Sequence, residues 1–293
     1  MINLDDIIAI DFHTHAEEPC SCERDDGYFE FQEAFAKYFK NPAGHNMMPS
    51  PDETAAYFRE RKIASVIFPV DAERNTGFKR YENEEVARIC AENDDILIPF
   101  ASIDPAKGRL GAREARRLVR EFGVKGFKFH PTMQGFYPND RSAYVLYEAI
   151  AEEGAIALFH TGQTGVGAGA PGGMNMRLKY SQPIYLDDVA ADFPDMTIVM
   201  AHPAFPWQEE QLSILTHKPN VYMDLSGWSP KYFSPILLQY MNSILKKKML
   251  FGSDWPVITP DRWIADFEKL DVKEEVKPLI MKENAARILG LNK

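Results

Sequence analysis

Five side chains that can bind a metal ion or carry a proton stand where short apolar runs of the sequence end. They are His13, His15, His160, His202 and Asp254. One residue separates His13 from His15, so on a strand both imidazoles would face the same side and could hold one ion. Histidines combined with a carboxylate suit Zn²⁺, with Mn²⁺ or Fe²⁺ as alternatives. The pattern therefore predicts a site for one divalent metal ion, with zinc ranked before manganese.

The apolar runs that lead to these residues belong to a series of eight, each nearly continuous in Val, Ile, Leu, Met and Phe, as strands buried on both faces are. They span residues 7–12, 64–70, 96–103, 124–129, 155–160, 197–202, 220–225 and 249–254. Helical patterns separate them at 51–62, 82–93, 111–123, 142–154, 183–194 and 234–248. The alternation predicts one α/β domain over residues 1–293, a parallel TIM (β/α)8 barrel, with an open doubly wound sheet as the alternative.

Active sites of TIM barrels lie at the carboxyl ends of the strands, so the five side chains would meet at one mouth. Two unusual segments would border that mouth. The long connection 17–50 after the first strand contains FQEAFAKYF, whose apolar residues have helical spacing. It predicts a lid-like insertion or a helix packed over the barrel edge. Residues 161–180 are too rich in Gly for a helix and predict a flexible loop.

The composition excludes several classes of function. The 293 residues carry a net charge of −10, the pI is near 5.3, and the basic stripe of a nucleic-acid binder is missing. No apolar run approaches the roughly 20 residues that span a bilayer, and the N-terminal segment does not resemble a secretion signal. Cys20, Cys22 and Cys90 are expected to be plain thiols in a reducing compartment, with a metal pair at Cys20 and Cys22 as the alternative. We expect a cytoplasmic protein that binds a small-molecule substrate, with no nucleic-acid or membrane partner.

The motifs around the five side chains resemble the amidohydrolase superfamily, in the family's order and along nearly the whole chain. The matching segments are DFHTH (11–15), LFHTG (158–162), MAHP (200–203) and FGSDWP (251–256). The resemblance is to the amidohydrolase 2 branch, which includes aminocarboxymuconate-semialdehyde decarboxylase and related decarboxylases, hydratases and hydrolases. It implies that His13, His15, His160 and Asp254 are metal ligands and that His202 is the catalytic histidine. Because this family commonly forms dimers or larger assemblies, it also implies a homo-oligomer.

A narrower resemblance is to barrel enzymes named 4-hydroxyphenyl-β-ketoacyl-CoA hydrolases. It rests on ASIDPAKGR (101–109), GFKFHPTMQGFYPNDR (126–141), HTGQTGVGAGAPGG (160–173), HPAFPWQ (202–208) and DLSGWSPKYF (224–233). It implies a metal-dependent hydrolase whose metal-activated water cleaves a C–C bond of an aromatic β-ketoacyl substrate, with Asp254 accepting a proton and His202 acting as acid or base. The alternative on this scaffold is a non-oxidative decarboxylase of an aromatic or unsaturated carboxylic acid, which release of CO₂ would distinguish.

Four further side chains are candidates for substrate binding. Lys128 and His130 share one side of the fourth strand by their spacing. Lys128 could bind a substrate carboxylate, pair with a buried acid, or bridge two metal ions as a carbamate, as in binuclear relatives. Arg177 follows the Gly-rich segment and could meet an anionic substrate group, although a solvated loop explains it equally. Trp228 follows the seventh strand and could form a wall for an aromatic substrate, or simply pack the loops.

Overall fold

The computed structural model describes residues 1–16 and 44–291. Over these residues, eight parallel strands form one sheet in which sequence neighbours are also neighbours in space. They are β1 (Ala9–His15), β2 (Ile63–Phe68), β3 (Leu97–Ala101), β4 (Gly126–Phe129), β5 (Ile156–His160), β6 (Ile198–Ala201), β7 (Val221–Asp224) and β8 (Met249–Leu250). Each predicted apolar run overlaps one of these strands, and the TIM (β/α)8 barrel is confirmed.

In the described part of the chain, helices alternate with the strands. They are α1 (Pro51–Glu60), α2 (Glu73–Thr76), α3 (Asn83–Glu92), α4 (Gly108–Phe122), α5 (Pro131–Gln134), α6 (Tyr144–Glu152), α7 (Ile184–Asp192), α8 (Gln208–His217), α9 (Pro235–Met241), α10 (Pro260–Phe267) and α11 (Asn284–Ile288), the last after a π-helical turn at Leu279–Glu283. The start of α1 shows a local cause. Ser50 accepts a hydrogen bond from the Glu53 amide while the Glu53 side chain accepts one from the Ser50 amide, which forms a capping box.

All six predicted helices are present, but the one expected over 234–248 ends early, at Met241. Asn242 accounts for the stop. Its side-chain amide donates to the Asp271 carbonyl, and its side-chain oxygen accepts from the Lys273 amide. These contacts tie the chain to a neighbouring segment, so residues 242–248 continue as turns toward β8.

Of the two segments predicted to border the barrel mouth, the structure describes one fully and the other only in part. Residues 161–180 contain turns and short 3₁₀ segments at Pro171–Asn175 and Leu178–Ser181 rather than a long helix. The lid-like insertion at 17–50 stays a prediction, because residues 17–43 lie outside the described part of the chain, as do Cys20 and Cys22.

The barrel closes where β8 and the residues after it meet β1. The Phe12 amide donates to the Phe251 carbonyl at 2.9 Å, the Asp254 amide donates to the His13 carbonyl at 3.0 Å, and the His15 amide donates to the Trp255 carbonyl at 2.8 Å. Because these bonds alternate between the two segments, they fix the register of Asp254 against His13 and His15. Closure of the barrel therefore also builds the site.

The core of the barrel consists of buried aliphatic and aromatic side chains from every strand. One close contact requires glycine. A Cβ at Gly126 would come within 2.4 Å of the Phe100 ring and 2.7 Å of the Ile156 carbonyl, so β4 can approach β3 and β5 only without a side chain there. Over the described residues, no helix combines the length and apolar character needed to cross a membrane.

Candidate metal and active site

The closure of β8 on β1 brings His13, His15 and Asp254 together, with one potential ligand atom of each within 4.8 Å of the others. Asp254 Oδ1 lies 3.1 Å from His15 Nε2 and 3.2 Å from His13 Nε2. Asp254 has a left-handed backbone, with φ of 72°. Such strain in a residue other than glycine is found mainly at functional sites, so the local backbone serves the placement of this carboxylate.

His202 follows β6 and joins the same group. It is buried, and its ring centroid lies 4.7 Å from that of His13 and 4.8 Å from that of His160. Its backbone is also left-handed, with φ of 71°. Two strand ends thus use the same strained conformation to turn a polar side chain into the barrel mouth.

His160, at the end of β5, lies at the edge of this cluster rather than among the atoms that converge within 4.8 Å. Its ring stacks on that of His130, with centroids 3.9 Å apart and an interplanar angle of 8°. The His160 Nε2 atom is buried and has no hydrogen-bond partner. His130 accepts a hydrogen bond from the Met133 amide at Nδ1, and its Nε2 lies 3.3 Å from Thr164 Oγ1. The structure therefore places His130 behind His160, with its ring nitrogens engaged.

Lys128, on β4, is fully buried beside the histidines. Its Nζ donates to His13 Nε2 at 3.1 Å and stands 4.8 Å from the centre of the Phe68 ring. Within the described chain its ammonium forms no ion pair with a carboxylate. Burial lowers the pKa of Lys128 to about 8, against the opposing effect of Asp224 and Asp254. A buried cation with a neutral partner is well suited to meet an anionic ligand.

Two residues that the sequence analysis missed complete the cluster. Asp224 ends β7, and its Oδ2 accepts from His13 Nδ1 at 2.9 Å. Ser226 donates to Asp224 Oδ1, and its Oγ lies 2.8 Å from His202 Nδ1. Asp224 has the same signal as the other site residues, since it is a polar residue closing an apolar strand. Ser226 lies beyond the strand end and has no comparable signal.

Burial and neighbouring groups together determine which side chains of the cluster are charged. Burial lowers the pKa of His13, His160 and His202, which are therefore neutral at pH 7. Burial raises the pKa of the Asp254 carboxyl, but the hydrogen bond with His15 and the nearby imidazoles outweigh this effect and hold it below its usual value. The mouth thus combines neutral imidazoles with an ionised carboxylate.

This donor set fits a divalent cation. His13 donates from Nδ1 to Asp224, which leaves its lone pair on Nε2, where it faces Asp254 Oδ1 at 3.2 Å. In this structure the positive charge beside the two acceptors comes from the Lys128 ammonium, 3.1 Å from His13 Nε2, and a bound cation would satisfy the same pair of acceptors. His160 adds a buried nitrogen without a partner. Neutral imidazoles and a carboxylate are ligands of both zinc and manganese, so the donors fit one ion without choosing between these metals.

The remaining predicted residues lie away from this cluster. Arg177 is exposed, and its guanidinium bonds the Asn175 carbonyl and side chain. Trp228 is half-buried, with its ring centroid 6.1 Å from that of the exposed Phe205. The structure does not bring either side chain into hydrogen-bond contact with the histidines. Their assignment to substrate binding stays a prediction.

Comparison with known proteins places the chain in a family. Residues 10–291 match the amidohydrolase family. An uncharacterised TIM-barrel protein of Bordetella bronchiseptica superposes with a TM-score of 0.75 at 22% identity, covering 96% of this chain and 98% of that one. A dihydroxybenzoic acid decarboxylase of a Polaromonas species, solved with manganese and 2-nitroresorcinol, has a TM-score of 0.69 at 16% identity and 98% coverage of both chains. A 2,6-dihydroxybenzoate decarboxylase from Rhizobium has a TM-score of 0.69 at 14% identity, covering 98% of this chain and 100% of that one.

At these identities the superpositions show a shared fold. The protein fluG of Emericella nidulans is 25% identical over 109 residues, which is 36% of this chain and 13% of that protein, so the match spans a small part of fluG. The relatives described above do not include β-ketoacyl-CoA hydrolases, so the narrower resemblance is not shown, whereas the resemblance to the superfamily is confirmed. The family match over residues 10–291, on a TIM barrel whose histidines and aspartates meet at one mouth, establishes that this chain is an enzyme of the amidohydrolase family.

Proposed function

We propose that this enzyme is a metal-dependent, non-oxidative decarboxylase of an aromatic or unsaturated carboxylic acid. The observation that carries the proposal is a buried cation, Lys128, in contact with His13 at the centre of a histidine and carboxylate cluster. Such a group can receive a carboxylate substrate. The similar solved decarboxylases support the choice of this reaction over hydrolysis, which reverses the order of the two activities expected from the sequence.

In this proposal His13, His15, His160 and Asp254 would hold one divalent ion. The ion, when bound, would supply Lewis-acid stabilisation of negative charge on substrate oxygens. Manganese becomes as good a candidate as zinc, because a similar decarboxylase was solved with manganese. The residues of the chain would fix the position of the substrate and move the proton.

Lys128 would bind the anionic end of the substrate. Its ammonium has no carboxylate partner within the described chain, and a substrate carboxylate or phenolate would supply one in a site that excludes water. Charge-assisted hydrogen bonds are stronger than neutral ones, so the gain in binding would be largest for substrates that carry an anion at this point. A bridging carbamate at Lys128 would replace that cation, and a count of two metal ions per chain would favour it.

His202 would deliver the proton that replaces CO₂. His202 is neutral at rest, so its Nε2 would first take up a proton from solvent. When the bond from the carboxylate to the neighbouring carbon breaks, the electron pair stays on that carbon, which takes this proton from Nε2. The imidazole then returns to its neutral form, so the net reaction consumes one proton from solvent and releases one CO₂. Since His202 Nδ1 is engaged with Ser226, Nε2 is the atom available for this transfer.

The test is a decarboxylation assay with hydroxylated benzoates and unsaturated diacids, on enzyme loaded with manganese or zinc. In D₂O we expect CO₂ and a product with one deuterium on the carbon that lost the carboxylate. His202→Asn should lower kcat by about 10²- to 10⁴-fold. The control is His217→Asn, since His217 is exposed on α8 and should leave kcat unchanged. Cleavage of a β-ketoacyl compound to an acid and a thioester without CO₂ would instead support hydrolysis and refute the proposal.

A further inference from the structure

One carboxylate contacts two histidines that perform different tasks in the proposed reaction. Asp224 Oδ2 accepts from His13 Nδ1 at 2.9 Å. Asp224 Oδ1 accepts from the Ser226 hydroxyl, from the Ser226 amide at 3.1 Å and from the His202 amide at 3.4 Å. Asp224 is fully buried. Oδ2 therefore contacts His13, and Oδ1 is linked to His202 through Ser226 and the His202 amide.

The hydroxyl of Ser226 determines which nitrogen of His202 carries the proton. Ser226 has one hydroxyl hydrogen, and it is donated to Asp224. Toward His202 Nδ1, 2.8 Å away, the oxygen can then only accept. His202 must therefore carry its proton on Nδ1 and present the Nε2 lone pair.

The packing leaves this arrangement little freedom. A Cβ at Gly227, which has φ of 74°, would come within 2.5 Å of His202 Nδ1. A Cβ at Gly252 would lie 3.0 Å from Ser226 Cβ and 3.1 Å from His13 Cβ. The two glycines therefore let the backbone approach both histidines more closely than a residue with a side chain would allow.

We propose that Asp224 is a forked positioning residue, whose Oδ2 orients His13 toward the metal and whose Oδ1 sets the tautomer of His202 through Ser226. The inference rests on the proposed function for the proton-transfer role of His202, and on the donor set for the role of His13. The two branches end on different histidines. It follows that they can be broken separately.

Ser226→Ala breaks the branch to His202 and leaves the contact between Asp224 and His13. Metal content and metal affinity should stay within about twofold of the parent. The kcat should fall by about 10- to 100-fold with KM nearly unchanged, since only the proton-transfer group loses its orientation. Asp224→Asn breaks both branches, and metal affinity should fall by about 10- to 100-fold as well.

The readout that needs no substrate is ¹⁵N NMR of histidine-labelled protein, with the His202 signals assigned by their loss in His202→Asn. In the parent, one ring nitrogen of His202 should be protonated and the other not, and Ser226→Ala should move the two shifts toward each other. The matched control is Ser181→Ala, which removes another buried serine hydroxyl, one that bonds Thr132 Oγ1 at 2.7 Å and no histidine. It should change neither the His202 signals nor metal affinity.

Unchanged His202 signals in Ser226→Ala would overturn the inference, and so would a loss of metal equal to that in Asp224→Asn. If Asp224→Asn does not fold, Ser226→Ala still decides the branch to His202. The spectra and the metal titration need no turnover. A failure to find decarboxylation would therefore refute the proposed function, while these two measurements would still test the role of Asp224.

Discussion

The strand ends of β1, β6, β7 and β8 differ from the segment that follows β5 in how polar side chains are held. At the strand ends, His13, His202 and Asp224 are buried, and each is fixed by other groups of the cluster. In residues 161–180, Arg177 is exposed and bonds Asn175, two residues away. The difference teaches that the candidate reacting groups are held by the barrel itself, whereas groups that would contact the rest of a substrate come from loops.

The comparison also has an energetic side. A buried polar group is costly unless its hydrogen bonds are made, so a change at a strand end disturbs all of its partners. An exposed side chain is solvated before and after a substitution. We therefore expect the effects of substitutions to fall steeply from the strand ends to the loop.

The largest effect is expected for Asp254→Asn. It removes the charge that His13 and His15 face at 3.2 and 3.1 Å, so bound metal should be lost and kcat/KM should fall by about 10³-fold or more. Elemental analysis of the purified variant checks this directly. Asp95→Asn is the control, since the exposed Asp95 pairs with Arg59 on the surface and should keep both metal and activity. Full metal content in Asp254→Asn would show that this carboxylate is not a ligand.

Lys128→Met should separate binding from stability. Met removes a buried charge that has no carboxylate partner in the described chain, so the melting temperature should stay the same or rise. The KM for a carboxylate substrate should rise by about 10- to 100-fold, in line with the loss of a hydrogen bond to a charged group.

Lys107→Met is the control, and it should lower stability without changing KM, the opposite of what is expected for Lys128→Met. Lys107 Nζ lies 2.7 Å from Asp71 Oδ2, and Asp71 is buried. Removing this lysine should cost about 1–3 kcal/mol of unfolding free energy with KM unchanged. If Lys128→Met destabilises the fold and leaves KM alone, Lys128 is a structural residue and the comparison between the two lysines is broken.

The sequence predicted the part of the site that strand periodicity determines. His13, His15, His202 and Asp254 could be placed at one mouth because the carboxyl ends of parallel strands meet in a barrel. The bonds that close β8 on β1, which set the distances, are not visible in a pattern of apolar runs. Nor is the left-handed turn of the backbone at His202 and Asp254, which depends on tertiary contacts.

Other residues could not be assigned because their role depends on a partner distant in sequence. Lys128 lies on β4 and His130 follows its last residue, and both were predicted to bind substrate, but Lys128 contacts His13 while His130 stacks on His160. Ser226 is an ordinary serine in sequence, and the role proposed for it depends on its contact with His202. Spacing along one strand predicts which side a residue faces, and leaves open what it meets there.

A smaller effect is expected for Gly227→Ala. The new Cβ would come within 2.5 Å of His202 Nδ1, so the ring must shift, and kcat should fall by about 10-fold while the fold loses about 1–3 kcal/mol. Gly123→Ala is a matched control, because Gly123 has a similar φ of 68° with no heavy atom within 4 Å of the added Cβ. It should show the cost of backbone strain alone, about 1–2 kcal/mol, with kcat unchanged. Equal kinetic losses in both variants would mean that contact with His202 is irrelevant.

The smallest effect is expected for Arg177→Gln, which tests the loop side of the comparison. The guanidinium is exposed and bonds only neighbouring groups of Asn175 in the described structure, so its loss should leave the unfolding free energy within about 0.5 kcal/mol of the parent. If the loop meets an anionic part of the substrate, KM should rise by up to about threefold with kcat unchanged, since a solvated cation contributes little binding energy. Substrate titrations at low and high salt check this, because screening should reduce the difference between variant and parent. A loss of kcat as large as that expected for Gly227→Ala would place Arg177 among the fixed groups and remove the contrast between the strand ends and this loop.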